Sequence, residues 1–594
     1  MSAKKKFVQV GLGARGRWYF HSLVDKYQKC AELVGLCDNN KGRLALAGEE
    51  IRRKGVNVPL YEDADFEKMI KETKPDCVIV TTRDCFHDKY MCRAMEMGCD
   101  VITEKPMTTD AEKCKRIIET KRKTKRRCVV TFNYRYSPPR TQIKDLLMTG
   151  VIGNVVSVDF HWLLNTSHGA DYFRRWHRNK KNSGGLLVHK ATHHFDLVNW
   201  WLSTVPESVF AVGKRNFYTP ETARRYGLNK RSERCLDCPE KKKCRFYLDL
   251  GAYGELKSLY LDNEQYDGYF RDRCLFSKEI DIEDTMHVIV KYRSGATMSY
   301  SLHAFMPWEG YIIAFNGTRG RLEHKCMESV YVSGDGTVPG ELLRTGTSTM
   351  IFPHFGKGYS VPIWEGTGGH GGGDDPLLDD LFLPHPPKDK YLRAADERAG
   401  AYSILTGVAA NISIAEKREV IISDLVGGID MPDYPPMPSP SEKLNPLWQH
   451  PSAKIAIGVD VKKFLATALQ GKKSSITEAK LPRKDLFKIT VKRSGTEGFH
   501  DIRPIHNNRD GFVYLMAKVR MKRSGKGRLL YGADGPVKVW INGKESDCRP
   551  GASNPIVPAE YACAADWVKG DNRIIFAVDT NCGKAWGIVA ECKY

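Results

Sequence analysis

The stretch KFVQVGLGARG, residues 6–16, decides the fold of the N-terminal part of the chain. Phe7–Val10 is a short apolar run that predicts a strand, and Gly11-Leu12-Gly13-Ala14-Arg15-Gly16 follows it directly and opens a helical pattern. The next apolar run ends in an acidic residue, Asp38, at the spacing expected for a ribose-binding acid. A strand, a glycine turn, a helix and a later acid in this order are typical of a dinucleotide-binding unit.

Each part of this unit has an expected role. Gly11 makes the tight turn, Gly13 lets backbone N–H groups approach a pyrophosphate, and Gly16 lets the helix pack close to the strand. The helix N-terminus adds partial positive charge for the phosphates. Asp38 can accept hydrogen bonds from a ribose 2′-hydroxyl, so the sequence favours NAD over NADP. Two nearby arginines keep NADP open: Arg15 and Arg43.

The whole chain predicts three folded parts. Strands and helices alternate over residues 1–132, which indicates an α/β Rossmann domain with a doubly wound parallel sheet. Long alternating segments such as Val155–Leu164 indicate antiparallel strands and predict an α+β domain over residues 133–430. A proline-rich linker, residues 431–484, precedes an all-β sandwich at 485–594, a candidate carbohydrate-binding module.

The composition is globular, with an excess of basic residues. The chain has 594 residues and a formal net charge of +21. No apolar run is long enough to predict a membrane span, no secretory leader is expected, and seventeen cysteines predict reduced thiols in the cytoplasm. The basic stretch Lys113–Cys128 has helical spacing and is interpreted as a solvated helix face. Attraction of an acidic substrate stays open, and a nucleic-acid partner is not favoured because the stretch has no aromatic residues.

Two further segments carry candidate chemistry. Glu104-Lys105-Pro106 ends a predicted buried strand, where ligands bind in open α/β sheets, and a lysine there can stabilise an alkoxide as hydride leaves. The run SGGLLVHKATHHFDLVNWW, residues 183–201, brings together glycines, three histidines and a lysine. Helical spacing places His193 one turn after His189. A capped helix N-terminus and a His-x3-His metal site are the alternatives.

Together these motifs resemble the Gfo/Idh/MocA family, which includes glucose-fructose oxidoreductase and inositol dehydrogenase. The resemblance covers roughly residues 5–425 and also includes NYRYSP at 133–138 and GGHGGGDD at 368–375. It implies a Rossmann domain and a second, substrate-binding domain with an open, mostly antiparallel sheet through which the chain forms a homo-oligomer. It also implies NAD(P)-dependent oxidation or reduction of a sugar or polyol carbon.

The resemblance also implies residue roles. Lys105 matches the catalytic lysine, and His193 matches the histidine that exchanges a proton with the substrate hydroxyl. The family often has an aspartate four residues before that histidine, where this chain has His189, and a histidine cannot supply the same negative charge. The departure is compatible with a second reaction, in which NAD is recycled while a sugar is oxidised, loses its glycosidic substituent and is reduced again.

The expected site is therefore a large set of residues. The catalytic residues are Lys105, His193 and His189. The cofactor contacts are Gly11, Gly13, Ala14, Arg15, Gly16, Asp38, Thr81, Glu104, Lys105 and Asn133. The substrate contacts are Tyr134, Arg135, Arg174, Arg175, Trp176, Lys190 and His194. In this last set a tryptophan can stack on a sugar and arginines can bind a carboxylate or sulfate, while surface arginines and a packed tryptophan are the alternative.

Four cysteines have the spacing of a metal site. Cys235, Cys238 and Cys244 form C-x2-C-x5-C, and Cys274 is a candidate fourth thiolate. Four thiolates favour a structural zinc ion, with an iron–sulfur cluster less favoured and buried reduced cysteines as the alternative.

The C-terminal segments 532–546 and 572–588 are similar to galactose-binding-type sandwiches. Trp540 and Trp586 are candidates there for stacking on sugar or for packing in the core. The sequence as a whole favours an NAD-dependent oxidoreductase that acts on a sugar or glycoside. If the arginines among the expected substrate contacts bind this substrate, it is an anionic one. A glycosidase or lyase with recycled NAD is the second hypothesis, and a non-catalytic sugar or dinucleotide sensor is the third.

Overall fold

The computed structural model describes residues 4–330, 346–366, 369–438, 459–471, 475–491, 493–494, 499–550 and 561–593. The chain divides into two compact units, Met1–Glu442 and Lys443–Tyr594. Gly368 of the glycine-rich run and residues 439–458 and 472–474 of the expected linker lie outside the described residues. Within the described part, no helix is both long and apolar enough to cross a membrane.

The first sheet is the doubly wound parallel sheet that the glycine motif predicts. Six parallel strands lie in the order β6-β5-β4-β1-β2-β3. They are β1 (Lys5–Val10), β2 (Ala31–Asp38), β3 (Leu60–Glu62), β4 (Cys77–Val80), β5 (Asp100–Thr103) and β6 (Cys128–Val130). The crossover helices are α1 (Ala14–Val24), α2 (Lys41–Arg53), α3 (Phe66–Thr73), α4 (His87–Glu96) and α5 (Ala111–Thr124). Every residue of β4 is buried, as expected for a strand covered on both faces, and the order reverses at β1 and β4, where such sheets bind ligands.

The basic stretch forms α5 with its apolar residues inward. Cys114, Ile117 and Ile118 are buried, and most of the lysines and arginines between them are exposed or half-buried. This arrangement agrees with a solvated helix face.

The second sheet is open and mostly antiparallel. Its nine strands lie in the order β14-β13-β12-β11-β7-β10-β9-β8-β16, and β7 and β10 are the parallel pair. They are β7 (Val155–Asn165), β8 (Pro206–Lys214), β9 (Thr285–Tyr292), β10 (Thr297–Met306), β11 (Trp308–Gly317), β12 (Gly320–Val330), β13 (Ser348–Pro353), β14 (Tyr359–Val361) and β16 (Val420–Ile421). The intervening β15 (Ala395–Asp396) instead extends the first sheet, antiparallel to β6.

Further helices follow β6 in the chain, and some pack on the second sheet while others pack on the first sheet or its helices. They are α6 (Pro138–Met148), α7 (Thr166–Arg174), α8 (Lys180–Ser183), α9 (Leu186–His189), α10 (Thr192–Leu202), α11 (Pro220–Arg225), α12 (Gly254–Leu259), α13 (Gly369–Gly372), α14 (Asp374–Phe382), α15 (Glu397–Glu416) and α16 (Ile422–Leu425). The long helix α15 packs against β8, α9 and α10.

In its described residues, the second unit contains two packed β-sheets and one short helix, α17 (Arg503–His506). Its strands are β17 (Val459–Asp460), β18 (Phe464–Ala466), β19 (Ile489–Val491), β20 (Arg493–Ser494), β21 (Phe499–Asp501), β22 (Phe512–Met521), β23 (Gly525–Ala533), β24 (Val537–Ile541), β25 (Lys544–Arg549), β26 (Tyr561–Trp567), β27 (Gly570–Asp579) and β28 (Gly587–Lys593). Two of these strands, β17 and β18, fall within the 431–484 segment expected to be a linker. Trp540 is buried, and Trp586 is 52% exposed beneath the Arg503 guanidinium.

Candidate active site

One cavity of about 410 Å³ lies at the carboxyl ends of β1, β4 and β5. It collects residues from both halves of the first unit, the glycine turn at one end and the histidine segment at the other. All of the expected cofactor contacts line it: Gly11, Gly13, Ala14, Arg15, Gly16, Asp38, Thr81, Glu104, Lys105 and Asn133.

The glycine turn has the shape of a phosphate cradle. Gly11 has φ +92°, and a Cβ there would lie 2.6 Å from the carbonyl carbon of Thr81. A Cβ on Gly16 would lie 2.3 Å from the Gly11 carbonyl oxygen. Above Gly13 the nearest atom to an added Cβ is the Tyr260 hydroxyl at 3.5 Å, an ordinary contact distance, so Gly13 is less crowded than Gly11 and Gly16. The residues present therefore fit a pyrophosphate at the start of α1.

Carboxylates contact Arg15 and Arg43, the two arginines because of which NADP stayed an alternative cofactor. Asp38 accepts hydrogen bonds from the Leu12 N–H at 2.6 Å and from the Arg43 guanidinium at 3.2 Å. Asp267 accepts a second bond from Arg43 at 2.6 Å. Arg15 donates to Glu104 at 2.6 Å. Neither guanidinium is therefore left without a carboxylate beside the ribose end of the site.

The long segment between β8 and β9, residues 215–284, which we call the insertion, covers the cofactor end of the cavity, and sequence reasoning missed this contact. The Tyr260 hydroxyl accepts the N–H of Ala14, at the start of α1, at 3.2 Å. The Asn263 carbonyl accepts a hydrogen bond from the Asn40 side chain at 2.8 Å. These contacts span more than two hundred residues of sequence, so no local pattern could have indicated them.

Lys105 projects from the end of β5 into the middle of the cavity. Its ammonium donates to the carbonyl oxygen of His189 at 3.2 Å. Burial lowers the pKa of Lys105 to about 8, against the opposing effects of Glu104 and Asp84. Near neutral pH this lysine is thus a hydrogen-bond donor that can also release its proton.

His189 is paired with a carboxylate that sequence reasoning also missed. Its Nδ1 lies 2.5 Å from the Asp84 side chain, which follows β4. Burial lowers the pKa of His189 well below its ordinary value and raises the pKa of Asp84 well above its ordinary value, so the hydrogen bond joins two groups that each resist ionisation. The signal was present in TTRDCFH, an acid directly after a buried strand, but its partner lies 105 residues away.

His193 lies in the same cavity but not one turn along the same helix. Helix α9 ends at His189 and α10 begins at Thr192, so the continuous helix expected through both histidines is wrong. The imidazole of His193 stacks on Tyr134 with ring centres 4.1 Å apart. The break lets the two histidines approach the cavity from different helices.

The expected substrate residues divide into two groups. Four of them line the cavity: Tyr134, Arg175, Trp176 and Lys190. Three are packed elsewhere. Arg135 forms a fully buried two-point ion pair with Asp196, at 2.5 and 2.7 Å. Arg174 donates to the Phe246 carbonyl, and His194 hydrogen-bonds the Tyr300 hydroxyl at 2.7 Å. Their side chains point away because the apolar core of the second domain lies on that face.

The four cysteines of the insertion line one small cavity of about 30 Å³. Burial raises the pKa of Cys235 to about 11 and also raises the pKa values of Cys244 and Cys274. Among the described residues, no group of three or more side chains is arranged to hold a metal ion. The geometry thus gives no support to the zinc expected from the spacing, and all four thiols are half-buried rather than buried.

Comparisons with known proteins agree with this architecture. Residues 5–132 match the model of the oxidoreductase family with an NAD-binding Rossmann fold, and residues 144–422 match the C-terminal α/β domain of the same family. The YteT protein of Bacillus subtilis (strain 168) is 37% identical over 433 residues, which are 71% of this chain and 98% of that protein.

More distant relatives match parts of the chain. Glycosyl hydrolase family 109 protein 1 of Akkermansia muciniphila is 25% identical over 31% of this chain and 40% of its own length. Inositol 2-dehydrogenase/D-chiro-inositol 3-dehydrogenase of Lactiplantibacillus plantarum is 24% identical over 32% of this chain and 50% of its own. From the family models and the full-length similarity to YteT, the chain belongs to the Gfo/Idh/MocA family of NAD-binding oxidoreductases.

Proposed function

We propose that this protein transfers hydride between NAD and a hydroxyl-bearing carbon of a sugar or glycoside, forming or reducing a keto-sugar. The observation that carries the proposal is the position of Lys105, which lies between the glycine turn and a cluster of imidazoles, in one cavity. The dehydrogenase names among the relatives support a polyol or sugar as the substrate.

The chain's own residues supply orientation and proton chemistry. The glycine turn and Asp38 would hold the dinucleotide, which when bound supplies the hydride acceptor. Lys105 donates a hydrogen bond to the substrate oxygen and stabilises negative charge that develops on it. Either His193 or His189 exchanges the hydroxyl proton, and burial of both rings excludes competing water.

For the substrate we propose an anionic sugar. Arg175 and Lys190 line the cavity, and the Nε of Arg175 has no hydrogen-bond acceptor among the described residues. A buried donor of this kind is suited to a carboxylate or sulfate on the ligand. Trp176, beside them, offers a ring face to the C–H side of a sugar.

For the cofactor we propose NAD rather than NADP. Arg43 is held between Asp38 and Asp267, so a 2′-phosphate would meet two carboxylates and an already neutralised cation.

An NAD-recycling glycosidase or lyase is the second candidate. The observation that favours it is the insertion over the cofactor end, where Tyr260 and Asn263 hydrogen-bond the start of α1 and α2. A cofactor that is reoxidised in place has no need to leave at each turnover. The family 109 glycosyl hydrolase among the relatives points in the same direction.

One experiment separates the candidates. Purified protein is incubated with uronic acids, inositols and their p-nitrophenyl glycosides, while absorbance at 340 nm and p-nitrophenol release are followed together. Net formation of NADH by the wild type, with none in the Lys105→Met variant, supports the dehydrogenase. Aglycone release without net NADH, lost when NAD is stripped, supports the recycling enzyme, and ligand binding with neither output would leave a sensor.

We also propose a cytoplasmic homo-oligomer. All seventeen cysteines are free thiols, as expected in a reducing compartment. The outer face of the nine-stranded sheet exposes several apolar side chains by 42–54%: Val156, Phe210, Val212, Ile289 and Ile312. Such a patch suits a second copy of the same sheet. Light scattering should show an oligomer that Ile289→Lys dissociates, and a monomeric wild type would contradict this.

A further inference from the structure

The pair formed by Asp84 and His189 is the strongest acid–base contact in the cavity that the family resemblance does not assign. Asp84 follows β4 of the cofactor sheet, and His189 ends α9 of the second domain. The two side chains are nearly fully buried, and Oδ2 of Asp84 lies 2.5 Å from Nδ1 of His189, which is a short hydrogen bond.

The contacts of His189 leave one ring nitrogen for a ligand. The Nδ1 atom is engaged by Asp84, and the ring is fixed edge-on to Tyr172, Trp176 and His177, with the His177 ring centre 4.2 Å away. His189 also lines the cavity beside Lys105. Nε2 is therefore the nitrogen left to meet a bound molecule. A carboxylate at Nδ1 favours the tautomer with hydrogen on that atom, which leaves the Nε2 lone pair free to accept a proton.

We infer that His189, oriented by Asp84, is the group that exchanges the proton of the substrate hydroxyl, with Asp84 as its positioning residue. This inference rests on the proposed hydride transfer. In the oxidation, the O–H proton moves to Nε2, the O–H electron pair forms the C=O bond, and hydride leaves the same carbon for NAD⁺. The imidazolium that results is paired with the Asp84 carboxylate.

The inference accounts for a histidine at a position where the family resemblance predicts an aspartate. The carboxyl group is supplied by Asp84 in the first domain, through the imidazole, rather than by residue 189 itself. Lys105 is bound to the same segment, because its ammonium donates to the His189 carbonyl at 3.2 Å. The segment around His189 thus places Lys105, which donates a hydrogen bond to the substrate oxygen, beside the imidazole that accepts the proton.

Other charged groups face the pair and determine its pH response. They are Lys105, Glu104, Arg175, Lys190, His168 and His177. Positive charges predominate among them and disfavour imidazolium, whereas Asp84 favours it. Replacing the Asp84 carboxyl group, which accepts the hydrogen bond at Nδ1, should consequently make His189 a weaker base.

The first test is a direct view of the hydrogen bond. Proton NMR with ¹⁵N-histidine labelling should show a far-downfield imidazole N–H in the wild type, absent from Asp84→Asn and His189→Gln but retained in His193→Gln. This readout needs no substrate. Absence of the signal from the wild type, or its survival in His189→Gln, would overturn the dyad.

The second test is kinetic and uses the substrate found in the sugar panel. His189→Gln should lower kcat about 10²-fold or more with NAD affinity unchanged. Asp84→Asn can donate its amide hydrogen to Nδ1, which stabilises the wrong tautomer, so kcat should fall and the acidic limb of kcat/KM should move to lower pH. Asp84→Glu should restore part of kcat and should move the acidic limb of kcat/KM part of the way back.

The control is His193→Gln. If it abolishes turnover while His189→Gln retains full kcat, proton exchange belongs to His193 and the inference is wrong. Unchanged pH profiles in Asp84→Asn would also contradict it. A wild type that forms no NADH refutes the proposed function instead, and the NMR result then decides the dyad alone.

Discussion

Lys105→Met should make the protein more stable while it inactivates it. Lowering the pKa of Lys105 from its ordinary 10.5 to about 8 corresponds to about 3 kcal/mol that disfavours the ammonium in the folded state. The side chain keeps some exposure to the cavity, so we expect a gain of about 1–3 kcal/mol in the free energy of unfolding at pH 7. Methionine fills a similar volume without a charge. Loss of the donor to the substrate oxygen should lower kcat about 10²–10³-fold.

The pH dependence of this gain has a definite sign. Below pH 8 Lys105 is protonated in both the folded and unfolded states, so the cost of its burial is fully present. Between pH 8 and 10.5 the folded state releases the proton first and the cost disappears. Urea denaturation at pH 7 and at pH 10 should therefore show a stabilisation that shrinks at the higher pH, and the exposed Lys68→Met should show none. A less stable Lys105→Met, or one that retains full kcat, would refute this reasoning.

Three further perturbations test other parts of the first unit. Asp267→Ala releases Arg43 from one carboxylate and should improve the NADP-to-NAD affinity ratio about tenfold, as measured by fluorescence titration; an unchanged ratio would separate Arg43 from cofactor choice. Arg135→Ala leaves Asp196 buried without its ion pair and should cost about 3–5 kcal/mol of unfolding free energy in urea, whereas a loss below about 1 kcal/mol would show that water solvates the carboxylate. Gly16→Ala places a Cβ 2.3 Å from a carbonyl oxygen, so calorimetry should find NAD binding lost or greatly weakened; wild-type affinity would contradict the cradle.

The residues that sequence reasoning found are those with a local signal. Gly11, Asp38 and Lys105 each end or follow a buried strand, and parallel strands necessarily bring these ends to one edge. The same logic could have indicated Asp84, but not its contact with His189, because that depends on how the second domain packs.

The residues that sequence reasoning misplaced lack such a signal. Arg135, Arg174 and His194 are polar residues next to true cavity residues, and neighbouring positions on a short helix point in different directions. Which of them reaches the cavity is decided by the core, where Arg135 finds Asp196 and His194 finds Tyr300. Tyr260 comes from the insertion, whose fold is set by tertiary contacts alone.

The short strand β15 has a mechanical consequence. Ala395–Asp396 completes the edge of the cofactor sheet, and the Asp396 side chain then caps α15, whose Gly407 passes so close to Leu187 of α9 that no Cβ would fit between them. Helix α15, with 20 residues and a length of about 30 Å, thus connects the Rossmann sheet to the segment that holds His189. The position of His189 relative to the Rossmann sheet is consequently determined by packing within the fold, since α15 contacts both β6 and α9.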